Sequence, residues 1–238
     1  MVTTRSNYRD EMADLERATL AALDLTIRQI ERVTEALEHQ DVELGTFVIA
    51  DDDRIDGSYL YVNQGILSLF ALQAPVAGDL RLVASMLHIA RHFERIGDQC
   101  VNIAKLIPLT GNDPPRKDEV LALILRMGAL ARDGVTQARQ CLALRDVELA
   151  YDLVVKDQQL NGLNREIFRL AIDLGDDIDT REWLMTMAMV ARAFERIGDN
   201  AVDIGEQVAF VVEGILPEFK ERALARDASL HKPPAADL

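Results

Sequence analysis

One phrase occurs twice in this chain and limits what the rest can build. Residues 90–103 read ARHFERIGDQCVNI and residues 191–204 read ARAFERIGDNAVDI, a constant 101 positions later. Phe93, Glu94, Arg95, Ile96, Gly97 and Asp98 return unchanged as Phe194, Glu195, Arg196, Ile197, Gly198 and Asp199. A match this long is an internal repeat, so the 238 residues should divide into two related units, each carrying one copy.

Each copy has the spacing of a helix with one apolar side. Met86, Ile89, Phe93, Ile96, Cys100 and Ile103 fall at steps of three and four, as do Met187, Val190, Phe194, Ile197, Ala201 and Ile204. At about 100° per residue, Glu94 with Asp98, and Glu195 with Asp199, lie well round the helix from that stripe. Two acids at i, i+4 repel by roughly 0.2–0.5 kcal/mol. A glycine inside a helix costs about 1 kcal/mol relative to alanine. Both penalties stand at the same place in both units, which invites a functional reading, although a remnant of duplication would also explain the recurrence.

The rest of the chain supplies two more helices to each copy. Tyr8, Met12, Leu15, Thr19, Leu23, Ile27, Ile30, Val33 and Leu37 outline a long first helix. After a break at residues 39–45, Val48, Ile55, Tyr59, Val62, Ile66 and Leu69 outline a second. The third, from about residue 79, carries the first copy and stops before Pro108. Residues 108–115, PLTGNDPP, are the densest cluster of helix breakers and read as a link. Helices over about 120–142 and 147–174 follow. A turn at 175–179 leads to the sixth helix, where Asp179 and Glu182 are spaced as a capping box. That helix fades near Gly214, Pro217 opens a charged stub, and residues 231–238 read as a loose tail. Nothing alternates with period two for long enough to make a sheet. The expected fold is all-α: two tandem antiparallel three-helix bundles, arranged somewhat like spectrin repeats. The units span residues 1–108 and 118–214, with a linker at 109–117 and a C-terminal tail at 215–238.

Composition agrees with helical bundles, since 49% of residues are hydrophobic but only 5% aromatic. The net charge of −14 argues against nucleic acid and anionic membrane as direct partners and permits cations and basic protein surfaces. There is no apolar signal region at the start and no run of eighteen apolar residues, which points to a cytoplasmic protein. Cys100 and Cys141 read as packed thiols rather than a disulfide or zinc site.

The remaining acids extend the pattern. Asp52 and Asp56 are i, i+4 on the second helix, and Asp157 and Asn161 stand at nearly the same place on the fifth. Asn102 and Asp203 lengthen the rows of the repeat by a turn. If neighbouring helices turn these rows toward one another, several oxygens converge, a donor set for hard cations such as Mg²⁺, Mn²⁺, Ca²⁺ or ferric iron. The plainer alternative is a solvated ion-pair lattice, because Arg91 and Arg95 stand three residues before Glu94 and Asp98, and Arg192 and Arg196 repeat this. His88 and His92 are read as solvated, because Met189 and Ala193 replace them in the second unit. No Glu-x-x-His diiron signature, phosphate loop or Ser/His/Asp set is present.

The stretches ERIGDQCVNIAK and ERIGDNAVDIGE, with LQAPVAGDLRLV (residues 72–83) and VIADDDRID (residues 48–56), resemble the PhoU family of phosphate-signalling regulators, in particular its actinobacterial, PhoY-like members. The likeness runs from about Tyr8 to Val212. It implies a cytoplasmic adaptor, not an enzyme, often a homodimer, at the inner face of the plasma membrane through protein partners. It implies coupling of the Pst phosphate transporter, through its ATPase PstB, to a PhoR-type sensor histidine kinase, and repression of the starvation response when phosphate is sufficient. It also implies a bound metal (Mg, Mn, Fe or Zn), with Glu94, Asp98, Asp52 and Asp56 as candidate ligands in the first unit and Glu195, Asp199, Asp203 and Asp157 in the second. A metal-dependent bundle enzyme acting on a phosphate compound, and a purely structural bundle, are the competing readings of the same residues.

Overall fold

The computed structural model describes residues 2–73, 75–111, 114–214 and 218–230. Among them are seven α-helices and no strand: α1 (Val2–His39), α2 (Val42–Leu72), α3 (Ala77–Leu106), α4 (Asp118–Leu144), α5 (Val147–Asp173), α6 (Ile178–Glu213) and α7 (Phe219–Leu230). A 3-10 turn, Ile107–Thr110, follows α3 and contains Pro108. Among the described residues, no helix is long and apolar enough to cross a membrane.

The turns repeat as the helices do. Gln40 and Arg145 both take a left-handed backbone, with φ of 54° and 57°. Each is followed by an N-cap aspartate, Asp41 accepting from the Leu44 amide at 2.9 Å and Asp146 from that of Leu149 at 3.1 Å. The first break is therefore only two residues long, shorter than the apolar spacing suggests. The capping box expected at Asp179 is displaced. Asp177 is the N-cap of α6, accepting from the Thr180 amide at 2.9 Å, and Asp179 lies inside the first turn. The cap needs an extended backbone, which Asp177 has and a residue already in the helix does not.

Helices α1, α2 and α3 pack together, α4, α5 and α6 pack together, and the two sets share one continuous core. Phe93 and Phe194, the aromatic residues of the repeat, are completely buried in it. The seam between the sets consists of two antiparallel crossings. On one, Arg139 Nε lies 2.6 Å from Asp24 Oδ1 and Arg145 2.7 Å from Glu16, joining α4 to α1. On the other, α6 runs against α3, with Ser85 and Arg81 donating to the Gln207 and Val211 carbonyls, each at 3.4 Å. The charged stub is α7. Phe219 and Ala223 are buried, and the Phe219 ring stacks on Tyr151 of α5 with centroids 5.1 Å apart. The tail at 231–238 and Pro217 lie outside the described residues.

Candidate functional site

The glycines of the repeat place the acids. A Cβ on Gly97 would stand 2.6 Å from Asp52 Oδ1 and 3.3 Å from the Ile55 side chain. A Cβ on Gly198 would stand 2.5 Å from Asp157 Oδ1 and 2.7 Å from Leu160 Cδ1. Each glycine thus seats a carboxylate of the neighbouring helix directly against its own backbone, which accounts for glycine in a helix interior at both positions. It also makes Asp52 and Asp157 equivalent, 105 positions apart. A short repeat with that same offset, DVEL at residues 41–44 and 146–149, is visible in the sequence and marks the starts of α2 and α5.

In the first unit, α2 and α3 bring Asp52, Asp56, Glu94 and Asp98 together. Burial pushes the Asp52 carboxyl above the usual aspartate range, and the charges of Asp56 and Asp98 push the same way. The buried amide of Gln29, on α1, opposes this by donating to Asp52 Oδ1 and to the Val48 carbonyl, both at 3.2 Å. Burial likewise raises Glu94, against the pull of Arg91, which donates to its Oε1 at 3.0 Å; Asp98 and Asp56 add to the rise. The other oxygen, Glu94 Oε2, is buried with no hydrogen-bond partner among the described residues. Asp56 and Asp98 are exposed at the mouth of the cluster.

In the second unit, α5 and α6 bring together Asp157, Glu195 and Asp199, with Asp203 a turn further on. Burial, then the charge of Asp199, pushes Asp157 up to about 6. Its Oδ2 accepts from Asn161 at 2.7 Å, while Oδ1 is buried and unpartnered among the described residues. Glu195 is buried and raised for the same two reasons, and Arg192 pairs with it. Burial also raises Asp199. This cluster has a cation of its own: Lys220, on α7, lies 3.6 Å from Asp203 Oδ1 and pulls down Asp157, Asp199 and Glu206.

All eight acids singled out from the sequence therefore lie in two clusters, one per unit. Among the described residues, no three acid, histidine or cysteine side chains are drawn close enough to hold an ion as they stand. Arg91 pairs with Glu94 and Arg192 with Glu195, so each unit has one of its glutamates engaged by an arginine. The donor chemistry still fits a hard cation. The set is all oxygen, two buried oxygens are orphaned among the described residues, and burial has raised carboxyls whose charged state an ion would stabilise.

Sequence reasoning missed three participants. Lys220 gave no signal, being one lysine in a charged stub. Gln29 had one, an amide beside the apolar positions Ile30 and Val33. His92 is not solvated: its Nδ1 lies 2.9 Å from Asn200 Oδ1 across the α3–α6 seam, and burial lowers its pKa. Its helical partner His88 is exposed. Cys100 and Cys141 are buried free thiols, and burial pushes Cys141 up to about 12.

The comparisons with known proteins agree on one family. The profile described as "PhoU domain" matches residues 20–107 and again residues 124–208. The phosphate-specific transport system accessory protein PhoU homolog 1 of Mycobacterium tuberculosis is 32% identical over 223 residues, 91% of this chain and 98% of that one. The homolog of Clostridium acetobutylicum is 26% identical, covering 89% of this chain and 96% of its own. The crystal structure of PhoU from Pseudomonas aeruginosa superposes with a TM-score of 0.82 at 25% identity, over 87% of this chain and all of that one.

Proposed function

The chain belongs to the PhoU domain family, and from that premise we propose that it is an accessory regulator of a phosphate-specific transport system, acting as an adaptor and not as an enzyme. The observation that carries this is the likeness, over 91% of the chain, to a protein named for that role. In the finer form of the reading, the protein sits in the cytoplasm beside the membrane as a homodimer. It contacts the Pst transporter's ATPase and a PhoR-type sensor kinase, and holds the starvation response off while phosphate is plentiful.

The acid clusters give the adaptor a cation requirement. Glu94, Asp98, Asp52 and Asp56 would hold a hard ion in the first unit; oxygen donors favour Mg²⁺, Mn²⁺ or ferric iron over zinc. A bound ion would cancel the repulsion between the α2 and α3 carboxylates and tie those helices together. Asp157, Glu195, Asp199 and Asp203 form the weaker site. Asn161 already donates to Asp157, and Lys220 supplies a tethered positive charge. The first cluster therefore fills first.

The test is co-purification of the chain with the transporter ATPase and with the cytosolic part of the sensor kinase, in Mn²⁺ and in chelator. Binding to either supports the adaptor reading; binding to neither in Mn²⁺ refutes it. Equal binding in chelator refutes the cation requirement alone.

A further inference from the structure

The two halves of the α3–α6 seam should be equivalent, because each helix carries one copy of the repeat and the two run antiparallel. They are not. At one place His92 reaches across to Asn200 and fills the space between the helices. The repeat-equivalent pair is Ala193 and Gln99, and the alanine falls short. A groove of about 470 Å³ is left there, floored by Ala188 and Ala193 and flanked by Leu106 and Phe168.

The substitutions around that groove change its character in one direction. Met189 stands where the first copy has His88, Asn102 where the second has Asp203, and Lys105 where the second has Glu206. Lys105, Arg192 and Arg196 line the opening. Among the described residues, Lys105 makes no side-chain ion pair; Arg192 pairs with Glu195, and Arg196, without a close ion pair, shares its charge with Glu195 and Asp199. Beyond the groove the apolar surface continues: Met189 is 56% exposed, Phe168 44%, and Ile172, one turn beyond Phe168, 82%. Arg165 lies on the same α5 face as Phe168 and Ile172 by helical spacing. A basic, apolar channel on a protein of net charge −14 is a local reversal of sign.

We propose that this groove is a docking site for an amphipathic helix of a partner protein, with apolar side chains inward and glutamate or aspartate along its edges. A channel between two antiparallel helices has the shape that receives a third. Methionine and phenylalanine at its lip give an adaptable apolar contact. The three cations at its rim, with no acid among the groove's lining residues, select an acidic partner and speed its arrival. The surface goes beyond the regulatory role above and does not rest on it.

The experiment uses two designed helical peptides of about 18 residues, identical on the leucine face and flanked by Glu in one and Lys in the other. Fluorescence anisotropy against the full chain should show the Glu peptide binding at least about tenfold tighter than the Lys peptide, with the difference shrinking in salt. The double variant Lys105→Glu with Arg196→Glu, both exposed sites, should reverse the preference. Met189→Glu should weaken both peptides; circular dichroism checks that each variant is folded. Equal binding of the two peptides, or no reversal in the double variant, overturns the proposal. Dimers that Met189→Glu converts to monomers would make the groove a contact between copies of this chain. Loss of binding to phosphatidylglycerol vesicles in that variant would make it a membrane face. Either result also overturns the proposal.

Discussion

Replacing Asp157 with asparagine should stabilise the cation-free protein at neutral pH. Asp157 sits against Gly198 with one oxygen buried and unpartnered, and Asp199 raises its carboxyl further than burial alone. The group titrates at about 6 in the fold, against about 3.9 in an unfolded chain. A carboxyl raised by folding holds its proton more tightly in the folded state. Its contribution to stability is therefore fully present below about pH 3.9 and is lost as pH rises through about 6. At about 1.4 kcal/mol per pH unit, a gap of about two units amounts to about 3 kcal/mol for a sealed site. The side chain is only half-buried, and screening by water reduces this to about 1.5 kcal/mol. Asparagine removes the charge, keeps the shape and leaves an oxygen for the Asn161 amide. In chelator at pH 7.5, Asp157→Asn should raise Tm by about 3–6 °C, and near pH 4 the gain should vanish. Thermal unfolding of both proteins across that range is the assay. A variant no more stable than the parent at pH 7.5 would refute the claim that the cluster is a strained, cation-seeking arrangement.

Lys220→Gln should expose the second cluster, so that calorimetric titration with Mn²⁺ shows two tight sites where the parent shows one; an unchanged stoichiometry disproves the tethered-cation role. Phe219→Ala removes the stack on Tyr151 that holds α7, and should speed limited proteolysis within α7 and raise Mn²⁺ affinity in parallel. Gly97→Ala would gain about 1 kcal/mol from helix propensity in an open helix, but here the new methyl displaces Asp52. Urea unfolding should show no such gain, and Mn²⁺ should bind more weakly. Phe93→Ala empties a fully buried site shared by the continuous core and should cost about 3–5 kcal/mol, read as a fall in the urea midpoint.

The repeat, the six long helices and the acids that gather on α2, α3, α5 and α6 are legible in the sequence, whereas α7, read as a charged stub, and the cap of α6 are not. Helical period and breaker residues are local properties, and a duplicated phrase puts the same side chains on the same face twice. The pairing of Asp52 with Asp157 was half-visible, and the recurrence of DVEL would have completed it. What could not be read was everything that depends on helices meeting across the molecule. Lys220 reaches the second cluster only because Phe219 anchors α7 on α5. His92 is largely covered only because α6 runs antiparallel to α3 and brings Asn200 opposite it. Ala193 opens a groove only because of that same crossing. Spacing along a helix determines which residues share a face. Which face meets which is set by the packing of one continuous core, and that packing decides which charges are neutralised and which stay open to a ligand.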